Sequence, residues 1–201
     1  MPRAMLSNER LRGGLILLAG SAAWLALSAT VVLWPPATVG LVILAASLVQ
    51  GTVPRPRALL SAVRRQLVAS YVWGAVTGAT LALVYALDRS EPVLQVTPGQ
   101  ETALRLGAAL WLGVQLYALP LLLVQRRGGM FGAWRSALLL ALSAPLFTAL
   151  IFGAAALLAS AARAMPVPLA FALPGALALL GAWAVARKLS AYGYPHDPPA
   201  P

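Results

Sequence analysis

The chain has 201 residues, 60% hydrophobic and 10% charged, with 15 Lys and Arg against 5 Asp and Glu and a mean hydropathy of +0.81. A soluble domain carries about a quarter charged residues, so this composition excludes a water-covered globule and describes one membrane domain, residues 1–201, of all-α class. The lack of Cys excludes disulfides, thiolate metal sites and thiol catalysis, and the net charge of +10 sits in short loops where topology and anionic lipid explain it without nucleic acid.

Taken in order, a short basic start with Arg3, Arg10 and Arg12 precedes an uncharged run over 13–34. At 1.5 Å per residue this run crosses a hydrocarbon core of about 30 Å. It is longer than the apolar core of a cleaved signal, so it reads as a retained first span. Pro35 and Pro36 stop that helix and suit the first turn of the next one. The second span, 37–51, is short and fits where the bilayer is thin.

Pro54 and Pro56 then bracket Arg55 and force a break. Over 57–66, Leu59, Leu60 and Val63 face one way and Arg57, Arg64 and Arg65 the other, the pattern of a helix lying in the headgroup region or of an extension of the next span dipping into water. A third span covers 67–87 and carries Gly74 and Gly78, small residues at a spacing that lets helices approach closely. Residues 88–105 hold Asp88, Glu91 and Glu101 with Pro92 and Pro98 and read as an external loop.

The fourth span, 106–125, contains Gln115, Tyr117 and Pro120. Arg126 and Arg127 open a flexible basic turn. A second basic amphipathic segment follows over 130–136, with Met130, Phe131 and Trp134 flanked by Arg127 and Arg135. The fifth span, 136–161, is expected to kink at Pro145, and a sixth covers 169–186. The tail, 190–201, rich in Pro and holding the lone His196, is expected to be flexible.

With six spans, the N-terminus, the loops after spans two and four, and the C-terminus hold 12 of the 15 Lys and Arg. That bias places both termini in the cytoplasm. Sliding the chain by 75 residues pairs Leu48-Val49-Gln50 with Leu123-Val124-Gln125 and Ser61-Ala62 with Ser136-Ala137, giving 14 identities over residues 39–83 where roughly 6 are expected by chance. Spans two and three and spans four and five then form parallel repeats.

Proton relays and ion sites depend on ionisable groups at depth, and these six spans have none in their interiors. The expectation is a non-enzymatic protein with no catalytic residue, metal site or cofactor. Two candidate surfaces remain. Gln115 and Tyr117, with Thr77, Thr80, Tyr85, Ser143 and Thr148, could line an intramembrane polar site or hydrogen-bond between helices. Arg55, Arg57, Arg64, Arg65, Arg126, Arg127 and Arg135 could form a cytoplasmic platform for anionic lipid headgroups or a membrane-protein partner.

The segment Pro35-Pro36-Ala37-Thr38-Val39-Gly40, the helix Arg57-Ala-Leu-Leu-Ser-Ala-Val-Arg-Arg65 entering Tyr71-Val-Trp73-Gly74, and the later Leu116-Tyr117-Ala118-Leu119-Pro120-Leu121 with Trp134-Arg135-Ser136-Ala137-Leu138 resemble the YesL-like bacterial membrane proteins. The likeness runs from about Leu15 to Ala161. Where that family often has Phe and Asn around its first cytoplasmic helix, this chain has Leu59 and Gln66. The resemblance implies an accessory or assembly partner of an ABC-type carbohydrate-uptake system in the bacterial cytoplasmic membrane. The residues alone leave open a small-solute permease with a polar path near Gln115, or a structural subunit of another membrane complex.

Overall fold

The computed structural model describes residues 2–30, 32–88, 97–125, 129–164 and 166–191. These residues form the helices α1 (Pro2–Ser28), α2 (Trp34–Val49), α3 (Pro56–Arg65), α4 (Leu67–Asp88), α5 (Pro98–Val124), α6 (Gly129–Ser143), α7 (Pro145–Ala164) and α8 (Pro166–Ala191). Among the described residues, three segments are long and apolar enough to cross a membrane: Leu67–Leu87, Gly99–Val124 and Ala172–Ala191; the α6–α7 pair adds a fourth if taken as one broken span. The apolar part of α1, Arg12–Ser28, and α2 are shorter.

The expected boundaries shift where local chemistry is stronger than hydropathy. The first span, read over 13–34, ends at Ser28, and Trp34 already belongs to α2. Pro35 and Pro36 occupy the first turn of α2, where a missing N–H costs nothing. The far end of α2 stops at Val49 because Gly51 takes a φ of +73°. The Gly51 N–H then bonds the Leu48 carbonyl and the Thr52 N–H the Ser47 carbonyl, the paired bonds of a Schellman stop. At 16 residues, α2 is about 24 Å long.

The segment 88–105, read as a loop, is helical from Pro98 onward. Thr97 and Gln100 form a reciprocal capping box, with the Thr97 N–H donating to Gln100 Oε1 at 2.9 Å. One turn on, Glu101 and Arg105 pair at 2.6 Å, and Arg105 Nη2 also donates to the Leu87 carbonyl at 3.2 Å, tying the far ends of α4 and α5 together. The cap and the i,i+4 pair carry the helix two turns past the apolar run.

The fifth span, read as one kinked helix over 136–161, is two helices set 109° apart. Pro145 brings no N–H to the ladder and disfavours helical backbone at Ala144. The Ala144 carbonyl instead accepts from the Thr148 N–H as α7 starts, and the Thr148 hydroxyl reaches back to the Ala141 carbonyl of α6 at 3.0 Å. The short basic helix read over 130–136 runs on to Ser143. Its expected stripe divides: Met130 and Trp134 are buried beside Ala133 and Ala137, while Phe131 and Arg135 are exposed. The tail read over 190–201 falls outside the described residues except for Ser190 and Ala191, the end of α8.

The core lies where α2, α5, α6 and α8 meet, and includes Val39, Leu41, Val42 and Ala45, Val114 and Tyr117, Met130 and Ala137, and Ala182, Ala184 and Val185. Small residues set the closest approaches: a Cβ on Gly181 of α8 would lie 2.5 Å from the Leu116 carbonyl oxygen of α5, and one on Gly175 would run into Ser21 of α1. The outer faces carry large apolar side chains, among them Leu106, Leu110, Leu142, Leu146, Leu150 and Leu157. A water-facing protein rarely leaves so much apolar surface open, whereas lipid tails cover it without cost.

Candidate functional site

α5 places Gln115 and Tyr117 in the core, 4% and 1% exposed. Two residues apart on a helix, they point to different neighbours. Gln115 turns toward α6, where its Oε1 accepts from Trp134 Nε1 at 2.9 Å. Trp134 in turn packs against Trp111, with ring centroids 5.7 Å apart. Tyr117 turns toward α7 and lies against Phe152, centroids 5.8 Å apart. Gln115 Nε2 and the Tyr117 hydroxyl make no direct hydrogen bond, although Thr148 lies close to the latter.

The remaining polar residues of the spans do not converge on that point. Thr80 and Ser143 donate to backbone carbonyls of their own helices, Tyr85 is exposed, and Thr77 is buried with its hydroxyl unpartnered. A groove of about 300 Å³ opens between α4 and α5 with Thr80, Leu83, Ala103, Gly107 and Trp111 among its walls; neither Gln115 nor Tyr117 lines it. Among the described residues no group of three or more His, Cys, Asp or Glu could hold a metal ion.

The sequence marked Gln115 as an amide that needs a partner but missed Trp134 as that partner. The available signal was the indole N–H, which takes an acceptor when buried. Gln125 and Ser136 were also missed as a pair; the Gln125 amide donates to the Ser136 hydroxyl across the α5–α6 turn. Both bonds fasten α6 to α5.

The arginines divide. Arg55, Arg57, Arg64 and Arg65 are exposed in and beside α3, which has no buried residue. Arg135 is exposed on α6, whose opposite face is buried. Arg126 and Arg127 fall outside the described residues. α3 leans on α2 with Leu59, Ala62 and Val63 half-buried, Val63 lying against Gly40, and Gln66 alone separates it from α4.

The chain matches no protein-family model, no curated protein and no solved structure. The helical bundle and its apolar outer surface therefore carry the functional reading.

Proposed function

We propose that this protein is a non-enzymatic, multi-pass component of the bacterial cytoplasmic membrane that serves as an accessory or assembly partner of an ABC-type carbohydrate-uptake system. The carbohydrate association comes from the YesL-like resemblance. The observation that carries the non-catalytic part is the use of the interior. The buried polar side chains among the described residues are Ser21, Ser70, Thr77, Gln115 and Thr148, all uncharged, and those whose bonds are known join helices or their own backbone. Partner recognition then falls to the outer helix faces and the exposed arginines.

In this reading the chain crosses six times, with α6–α7 as one broken crossing, both termini in the cytoplasm, and α2–α3–α4 and α5–α6–α7 as parallel repeats. Two features support the repeat. α2 ends at Val49 and Gln50, and α5 at Val124 and Gln125, positions 75 apart. Gly40 and its counterpart Gln115 each take a contact from the helix that follows, from Val63 and Trp134.

The test is a pull-down from native membranes into nanodiscs, with mass spectrometry of what comes along. Solute-binding or permease subunits are expected in stoichiometric amounts. Recovery of the protein alone contradicts the reading, and subunits of an unrelated complex favour a structural role. The unpartnered Gln115 Nε2 and Tyr117 hydroxyl favour a second reading, a small-solute permease, which requires liposome flux that falls when Gln115→Leu is introduced.

A further inference from the structure

The sequence shows two basic amphipathic helices of the same kind, and the structure separates them. α6 buries Met130, Ala133, Trp134 and Ala137 and leaves Phe131, Leu138 and Leu142 exposed beside Arg135, the one arginine among its described residues. No residue of α3 is fully buried; Leu59, Ala62 and Val63 are half-buried, and Leu60 is 62% exposed. Beyond Gln66, which ends α3, α4 leaves Val68 79% and Tyr71 42% exposed. Arg57, Leu60 and Arg64 follow one another at steps of three and four residues on α3, so they share one face of it, and Leu60 lies with these arginines rather than opposite them. Val68 and Tyr71 share a face of α4, a helix long enough to cross a bilayer.

Among the described residues no acidic side chain pairs with Arg57 or Arg64. The sequence contains no Asp or Glu between Glu9 and Asp88. An occupant must therefore bring negative charge to Arg57 and Arg64 and apolar surface to Leu60, Val68 and Tyr71. A soluble acidic protein supplies the first and leaves the second in water.

We propose that the α3–α4 junction is a binding surface for an anionic phospholipid, its phosphate held by Arg57 and Arg64 and its acyl chains laid along Val68 and Tyr71. The arginine stems lie beside Leu60 while their guanidinium groups reach the headgroup level, and Tyr71 sits where interfacial aromatics concentrate. This rests on the membrane placement proposed above but not on the identity of any partner protein.

The test is native mass spectrometry of the purified, delipidated full chain in detergent, titrated with an equimolar mixture of phosphatidylglycerol and phosphatidylcholine of identical acyl chains. Phosphatidylglycerol should be retained over phosphatidylcholine. The Arg57→Gln/Arg64→Gln variant should lose roughly fivefold or more of that preference. Arg57→Lys/Arg64→Lys should keep most of it, and Arg135→Gln all of it. Equal retention of the two lipids by the unmodified chain overturns the proposal. So does an equal loss with Arg135→Gln, which marks diffuse attraction to net charge. No partner is present in the assay, so its outcome is independent of the pull-down.

Discussion

Gly181 and Gly153 look alike in sequence, each a glycine inside an apolar helix, yet their surroundings differ. A methyl group at position 181 meets the Leu116 carbonyl oxygen at 2.5 Å, whereas one at position 153 meets nothing within 4 Å. A backbone oxygen cannot move aside as a side-chain tip can. Gly181→Ala should therefore destabilise the bundle by about 1–3 kcal/mol through overpacking, while Gly153→Ala should be neutral or slightly stabilising. Thermal unfolding in one detergent checks both, and equal effects would contradict the close α5–α8 approach. At the same scale, Trp134→Phe removes the donor to Gln115 Oε1 and leaves a buried amide wholly unpaired. A loss of about 1–2 kcal/mol is expected, with Gln115→Leu in the same background recovering part of it. No recovery would mean that Trp134 acts by packing alone.

At the scale of elements, the break between α6 and α7 is the feature that most changes the architecture. Phe131 on α6 and Leu157 on α7 are both exposed and equidistant in sequence from Ala144. With a rise of 1.5 Å per residue, a continuous helix would separate them by about 39 Å, while the 109° bend brings their backbones to about 23 Å. Because the chain has no Cys, spin labels can be placed at Phe131→Cys and Leu157→Cys without further substitution. A distance near the shorter value is expected in lipid; the longer one would restore the single kinked span. Elsewhere the elements were legible where local chemistry decides. Pro54, Pro56 and the following arginines bound α3 nearly at its observed ends, and the uncharged run from Leu67 gave α4. The first two turns of α5 were hidden because Pro98, Glu101 and Arg105 resemble loop residues until the Thr97 cap and the Glu101–Arg105 pair are seen. α6 runs on to Ser143, past the short helix expected there, and the burial of its Met130 and Trp134 cannot be seen in a stripe that matches that of α3. Only packing against α5 tells a covered apolar face from an open one, and that information is tertiary.

For the whole molecule, composition and charge placement carried the decisive inference: too few charges for a water-facing surface, and arginines gathered between or at the ends of the apolar runs. The same information said little about a site, because membrane interiors built from Ala, Leu and Gly give few residues whose chemistry is specific. Gln115 stood out as a lone amide, and its role became readable once Trp134 was placed beside it. The central claim is that the bundle crosses the membrane with its basic elements on one face, and single cysteines test it directly. Ser61 on α3, Gln100 at the start of α5 and Ser190 at the end of α8 are all exposed. In intact cells treated with a membrane-impermeant maleimide, Gln100→Cys should be labelled from outside, whereas Ser61→Cys and Ser190→Cys should react only after permeabilisation. Labelling of Ser190→Cys from outside would make α6 and α7 two separate passes, and labelling of Ser61→Cys and Gln100→Cys from the same side would contradict the account.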